Sequence, residues 1–523
     1  MSLAGRVDGT RQSVACPQLQ SLFFQVDLEQ SEDCLYLDIF SPDPKPTSAP
    51  VMVWIHGGGY HFGSGSLPES IPTVLSAFGE VIVVTINYRL GPLGFLTTGD
   101  DTIPANLGLW DQRQALVWVQ TYIQAFGGDP TQVTIFGESA GSASVNMHLI
   151  SAMSAGLFSR AIMQSGALNT VWTHHLDKKE AVDAAFEFGK EMGCSTARSE
   201  DLLQCLRKTS LENFFAAYKG TFPLFSKYFF RPVADDHFLP GDPLQLTREG
   251  KFNPASVIIG CLESEGSLHL IPGITGIQGT GRPFVNSSLF PRIMMSQTGI
   301  QDSLLLDMIA SVFMSDEELQ SQEPDYAPAI IRYIGDSFHK CPTITLSNRL
   351  SETGRDVYAF VMDHVPSHSR WGKNLTWLGA THMEDIPYVF GSSLRLNVKP
   401  DANEDYHMIG RFNDGEVALS LQIMRYWTNF TKSGDPNKPS KGFGSSHFPV
   451  WRPYTSSEPN VKKLSESFQN QLGYQEAREC YFIDKIQPAL MDSSAELARL
   501  KAVLSERVSA DSGKQCSDDE ACP

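Results

Sequence analysis

The chain has 523 residues, 41% of them hydrophobic and 19% charged, and carries a net charge of −18. That balance supplies a large core and repels nucleic acid and anionic membrane surfaces, so neither is expected as a partner. No apolar run approaches the ~20 residues of a membrane span, and the polar stretch from Met1 to Ala15 lacks the apolar segment of a signal peptide.

Strands and helices alternate through the first third. Val51–Ile55 and Val81–Ile86 are continuous apolar runs, as expected of strands buried on both faces of a mostly parallel sheet. Leu109 to Phe126 reads as a helix, with Leu116, Val119, Ile123 and Phe126 on one face and Gly127-Gly128 ending it. A strand over Val133–Phe136, a helix over Ala143–Ile150 and a strand over Arg160–Gln164 follow. The middle, about Leu176 to Asp325, reads as helices and loops forming a cap, although Ala255–Gly260 within it is strand-like. Val357–Met362 returns to strand, and helices near Val417–Phe430 and Ser494–Val508 close the fold. No linker or repeat divides the chain, so one doubly wound α/β domain with a large helical insertion is expected over 1–508. The acidic, Ser-rich segment 509–523 reads as a disordered tail.

Gly137-Glu138-Ser139-Ala140-Gly141 stands between the predicted strand and helix, the context a nucleophile elbow needs. Such a turn strains the serine backbone and demands small residues two positions to either side. The serine hydroxyl would then lie over a helix N-terminus, where developing negative charge is favoured. Directly after the strand ending at Ile55 comes His56-Gly57-Gly58-Gly59, whose backbone N–H groups, with that of Ala140, suit an oxyanion hole. A serine also needs a base and an orienting carboxylate. Asp235, Glu263 and Glu265 are each physically possible acids, and pattern alone does not choose among them. His382, in Gly379-Ala380-Thr381-His382, is a candidate base; its small neighbours suit close packing against another loop, and twelve other histidines compete with it.

Nine cysteines and three sequons, at Asn286, Asn374 and Asn429, point to an oxidising route, secreted or lumenal, despite the missing signal segment. Cys16 and Cys34, Cys194 and Cys205, and Cys341 and Cys480 fall at suggestive places, but sequence leaves connectivity open. Cys261 closes a strand-like run and reads as a buried free thiol. Cys516 and Cys522, or the helix at 494–508, are where a homodimer would form. No metal-ligand spacing occurs, and the chemistry needs neither metal nor organic cofactor.

Several segments together resemble the type-B carboxylesterase and cholinesterase-like family. They include Cys16-Pro-Gln18, Ser31–Leu37, His56–Tyr60, Asn87–Phe95, Asn106–Gln112, Phe126–Pro130, Gly137–Ser142, His382–Gly391 and Trp427–Asn437. The resemblance, running from Cys16 to about residue 485, implies the α/β-hydrolase fold and no cofactor. It implies Ser139 as nucleophile, Glu265 in preference to Glu263 as acid, and His382 as base. Gly58, Gly59 and Ala140 follow as oxyanion donors, and Cys16–Cys34, Cys194–Cys205 and Cys341–Cys480 as disulfides. The expected activity is a broad serine esterase acting on small-to-medium uncharged esters. Phe222, Phe225, Tyr228, Phe229 and Phe230 resemble the segment that shapes the acyl pocket, and read equally well as core.

Two departures qualify this. The family's N-terminal strands, before Cys16, look absent. The Cys16–Cys34 loop also holds no Trp, only Phe23 and Phe24 as aromatics, so the cation–π site of cholinesterases is not expected. A silent adhesion protein of the same fold is the alternative from another class. Against it, Ser139, Glu265 and His382 are all kept and no membrane span is present. Narrower esterases, on choline, bile-salt-dependent lipid or hormone esters, are the remaining alternatives; Glu138 before the serine fits the carboxylesterase and cholinesterase pattern.

Overall fold

The computed structural model describes residues 9, 13–19, 28–170, 172–219, 230–271, 281–372, 375–395, 411–438, 449–474 and 476–493. Its framework is a nine-stranded sheet: β1 (Leu37–Phe40), β2 (Ala49–Ile55), β3 (Ile82–Ile86), β4 (Gly128–Glu138), β5 (Arg160–Gln164), β6 (Ser256–Leu262), β7 (Val357–Met362), β8 (Asn460–Leu464) and β9 (Asn470–Leu472). The spatial order is β1-β3-β2-β4-β5-β6-β7-β8-β9. All neighbours from β3 to β8 are parallel, and only the edge pairs β1–β3 and β8–β9 are antiparallel.

The apolar runs sit in this sheet because each strand feeds two cores by alternation. In β2, Val51, Val53 and Ile55 enter one core and Met52 and Trp54 the other. Likewise β7 sends Val357, Ala359 and Val361 to one face and Tyr358, Phe360 and Met362 to the other. The helices α1 (Leu107–Tyr122) and α2 (Ala140–Ile150) cover the first face. On the second lies α6 (Asp414–Ser433), which contributes Leu419, Ile423, Trp427 and Phe430. Between them in the chain come α3 (Ala327–Gly335), α4 (Cys341–Glu352) and the short α5 (Ile386–Phe390).

Two expectations change. The predicted first helix tightens into a 3-10 turn at Ile123–Phe126, which swings Phe126 off the buried stripe to 40% exposure while Ile123 stays fully buried. The cap is not one insertion, because β6 joins the sheet between β5 and β7. Its helices therefore form two excursions, one from Lys178 to Glu249 and one from Leu289 to Glu352. The helix expected at Ser494–Val508, and the tail with Cys516 and Cys522, lie outside the described residues.

The three expected disulfides are formed, Cys16–Cys34, Cys194–Cys205 and Cys341–Cys480, and Cys261 is a buried free thiol. Among the described residues no helix is long and apolar enough to cross a membrane. Asn286 is exposed at a helix start. Asn429 is not: it is 5% exposed inside α6, and its amide donates to the Pro436 carbonyl at 3.1 Å. A glycan there would have to displace buried packing. Asn374 lies outside the described residues.

Candidate active site

The strand order reverses direction between β2 and β4, and ligands of open α/β sheets bind at the carboxyl ends of strands at such a switch point. The His56–Gly59 loop leaves β2 there and Ser139 leaves β4 beside it. Ser139 has φ 56° and ψ −124°, a strained conformation held by its N–H on Gln164 O (2.9 Å) and its carbonyl on Ala143 N–H (2.9 Å). A Cβ at Gly137 would lie 2.5 Å from the Gly141 backbone, and one at Gly141 only 2.0 Å from Ile55 O. The elbow thus wedges strand end and helix start together, and Ala140 opens α2 with an N–H that has no intrahelical acceptor.

Gly58 has φ 104° and its missing Cβ would fall 2.0 Å from Phe62 O, so the loop folds back on itself only with glycine there. Both His61 and Phe62 donate to Gly58 O, while the N–H groups of Gly58 and Gly59 meet no acceptor among the described residues. Behind the loop, Tyr88 Oη donates to His56 O at 2.8 Å and stacks on the His56 ring.

Glu265 follows β6 and is completely buried; its Oε1 accepts the Leu262 N–H at 2.8 Å and its Oε2 meets His382 Nδ1 at 2.6 Å. Asp235 and Glu263 are elsewhere. Asp235 accepts the N–H groups of His237 and Leu239, and Glu263, half exposed, pairs with Lys340 at 3.1 Å. The His382 loop lies against the Glu265 loop as its small residues predict. Ser264 N–H donates to Ala380 O (2.9 Å), Ser267 Oγ to Thr381 Oγ1 (2.7 Å), and Trp371 Nε1 to His382 O (3.1 Å). From below, Gln164 ties Asp385 (2.7 Å) to Trp427 of α6 (3.1 Å).

Ser139, His382, Gly58 and Gly59 line one pocket. Its walls are apolar, with Phe62, Trp172, Leu268, Phe338 and Met383. None of the lining residues is a carboxylate, lysine or arginine. Of the aromatic cluster expected to shape it, Phe230 is instead core, edge-on to Phe188 at 5.5 Å; Phe222, Phe225, Tyr228 and Phe229 lie outside the described residues. Tight packing against the cap helix claimed Phe230, and Trp172 and Phe338 arrive from positions with no sequence motif.

Three further polar groups were not legible in the sequence as parts of this site. Glu138 is fully buried, places Oε1 3.2 Å from His382 Nε2, and has no hydrogen-bond donor among the described residues. His339 packs its ring 4.8 Å from that of His382, with Nδ1 4.0 Å from Glu265 Oε2. His269 lines the pocket beside Phe338. Burial pushes Glu138 up to about 8. Burial also opposes charge on His382, but Glu138 and Glu265 outweigh it and raise the imidazole to about 9. Glu265 is penalised by burial and held down at about 2 by His339 and His382. Glu265 therefore stays ionised. Donor atoms of Glu265, His339 and His382 lie within 4.8 Å of one another, so a metal ion here would compete with the Glu265–His382 bond.

A sequence profile of the carboxylesterase family matches residues 2–483. The chain is also similar to the acetylcholinesterase of Bungarus fasciatus, with 34% identity over 469 residues that span 89% of this chain and 73% of that protein. With this sheet, these disulfides and that match, the chain belongs to the carboxylesterase family and is a carboxylic ester hydrolase.

Proposed function

We propose that the chain hydrolyses small-to-medium uncharged esters through an acyl-enzyme on Ser139. The observation that carries this is the 2.6 Å contact of His382 Nδ1 with the fully buried Glu265, in one pocket with a strained Ser139. His382 Nε2 takes the Ser139 proton as Oγ attacks the ester carbonyl, and the N–H groups of Gly58, Gly59 and Ala140 hold the oxyanion. The imidazolium then protonates the departing alcohol. Water repeats the sequence on the acyl-enzyme and releases the acid. Glu265 holds the Nδ1–H tautomer and stabilises the imidazolium. In the substrate-free site Nε2 faces Glu138, and the serine–imidazole contact forms with ester bound, as such contacts often do.

The uncharged, apolar lining favours neutral esters, and the Cys16–Cys34 loop offers no Trp to hold a quaternary ammonium. Three disulfides fit a secreted or lumenal protein. A homodimer would be joined through the 494–508 helix or the tail cysteines. The test is turnover of p-nitrophenyl butyrate and of butyrylthiocholine before and after an organophosphate, with mass spectrometry of the adduct. Butyrate turnover lost with one adduct on Ser139 is expected. Turnover that survives complete modification of Ser139, or an adduct on another serine, would overturn the mechanism. Preference for the choline ester would overturn the substrate class.

A further inference from the structure

The apolar pocket carries two imidazoles that the proposed mechanism does not use. His339 Nδ1 lies 2.9 Å from the Ser165 carbonyl, and His269 Nδ1 lies 2.9 Å from Gln297 Oε1. Both partners are oxygens that can only accept, so each Nδ1 carries the proton and each Nε2 keeps its lone pair. Burial lowers both rings to about 4, so both are neutral at neutral pH. Neither Nε2 has a hydrogen-bond partner among the described residues, and both rings line the pocket. His339 is, moreover, placed by an unusual device. It sits in a single π-helical turn, Asp336–Lys340, between α3 and α4, a distortion that costs helical regularity and is frequent at functional sites.

We infer that the pocket selects esters bearing a hydroxyl group, which donates to Nε2 of His339 or His269. This rests on the serine-esterase reading above and names its substrate class. The selection works mainly by penalty. An aliphatic substrate of the same shape expels water and leaves a buried acceptor without a donor, whereas a hydroxyl replaces the water it displaces. Trp172, Phe338 and Leu268 supply apolar contact to either ester equally, so they set affinity and the imidazoles set choice.

The test uses the full chain and two pairs of esters that differ only by hydroxyl against methyl. On the acyl side the pair is p-nitrophenyl 3-hydroxybutyrate and 3-methylbutyrate. On the alcohol side it is 2-hydroxyethyl butyrate and propyl butyrate. In at least one pair the hydroxyl ester is expected to have the higher kcat/KM, by about fivefold to tenfold, the worth of one buried hydrogen bond. His339→Leu or His269→Leu should erase that preference, and the matching Gln variant, which keeps an acceptor, should restore part of it. Equal or reversed preference in both pairs for the wild-type chain overturns the inference without any variant. So does a preference that survives both Leu substitutions in chains that still turn over p-nitrophenyl butyrate. A wild-type chain that hydrolyses none of the four esters overturns the esterase reading itself, a different result.

Discussion

Substituting Gly141 by alanine probes the wedge that joins the elbow to the oxyanion loop. The new Cβ would fall 2.0 Å from Ile55 O and 2.8 Å from His56 O, both rigid backbone atoms. To reach the 3.4 Å of an ordinary contact, the start of α2 must retreat from the end of β2 by about 1.4 Å. That movement separates the Ala140 N–H from those of Gly58 and Gly59, the three proposed oxyanion donors, which act together only if they converge. A misplacement of about 1 Å costs on the order of 10²-fold in rate, and overpacking of this kind costs about 1–3 kcal/mol of stability. The assay is kcat/KM for p-nitrophenyl butyrate alongside urea denaturation, with Gly241→Ala as control, where the added Cβ meets nothing within 4 Å. A Gly141→Ala chain within threefold of wild type would refute the reasoning, since the strand end and helix start would then not position the reacting groups.

Glu265→Gln keeps shape but removes the charge beside His382 and leaves one of its two contacts, to Leu262 N–H or His382 Nδ1, facing the wrong amide atom; kcat should fall by about 10⁴, measured by steady-state kinetics. Ser139→Ala should reduce turnover to background while urea denaturation and circular dichroism stay close to wild type, because only one hydroxyl is lost. With His382 raised to about 9 by Glu138 and Glu265, kcat/KM should still be climbing with pH above neutrality. Glu138→Gln removes one of those two carboxylates, so the acid limb should move to lower pH; an unmoved limb would mean that another group sets it. Replacing Cys341 and Cys480 together by serine frees a loop with a sequence separation of 139 residues and should cost about 2–5 kcal/mol on denaturation.

Strands buried on both faces announce themselves as continuous apolar runs, which is why 357–362 is read from sequence with the bounds it has in the fold. The start of β4 is less legible. Gly128-Asp129-Pro130 looks like a turn, yet Gly128 pairs with Ala49 beyond a register shift. Phe126 shows the limit of helical periodicity, since a change to 3-10 geometry in one turn rotates the last residue of the stripe into solvent. Within the site, Ser139 and the glycine loop carry local strain and so leave a local motif. Glu265 and His382 do not, and only the family resemblance chose them among the other acids and histidines. The neighbours Glu138, His269 and His339 had no such signal as parts of this pocket. His339 reaches it from 43 positions before His382 in the chain through a helix distortion that no composition rule marks.

The way these groups are supported bears on what the pocket can bind. The polar groups beneath the proposed nucleophile are anchored from several elements: Glu265 by the end of β6, the His382 loop by Ser264 and Trp371 in neighbouring loops, and Asp385 through Gln164 of β5. Such anchoring fixes geometry before an ester arrives and spares the reaction the cost of reorganising dipoles. The floor keeps acceptors of its own, since Glu138 Oε2 and Asp385 Oδ1 meet no donor among the described residues. Among the residues that line the pocket, His269 and His339 offer further acceptors, and burial keeps them from becoming cations. A pocket built this way is complete only when its occupant brings a donor, so the acceptors that add nothing to stability in the empty protein are the ones that decide which ester is turned over fastest.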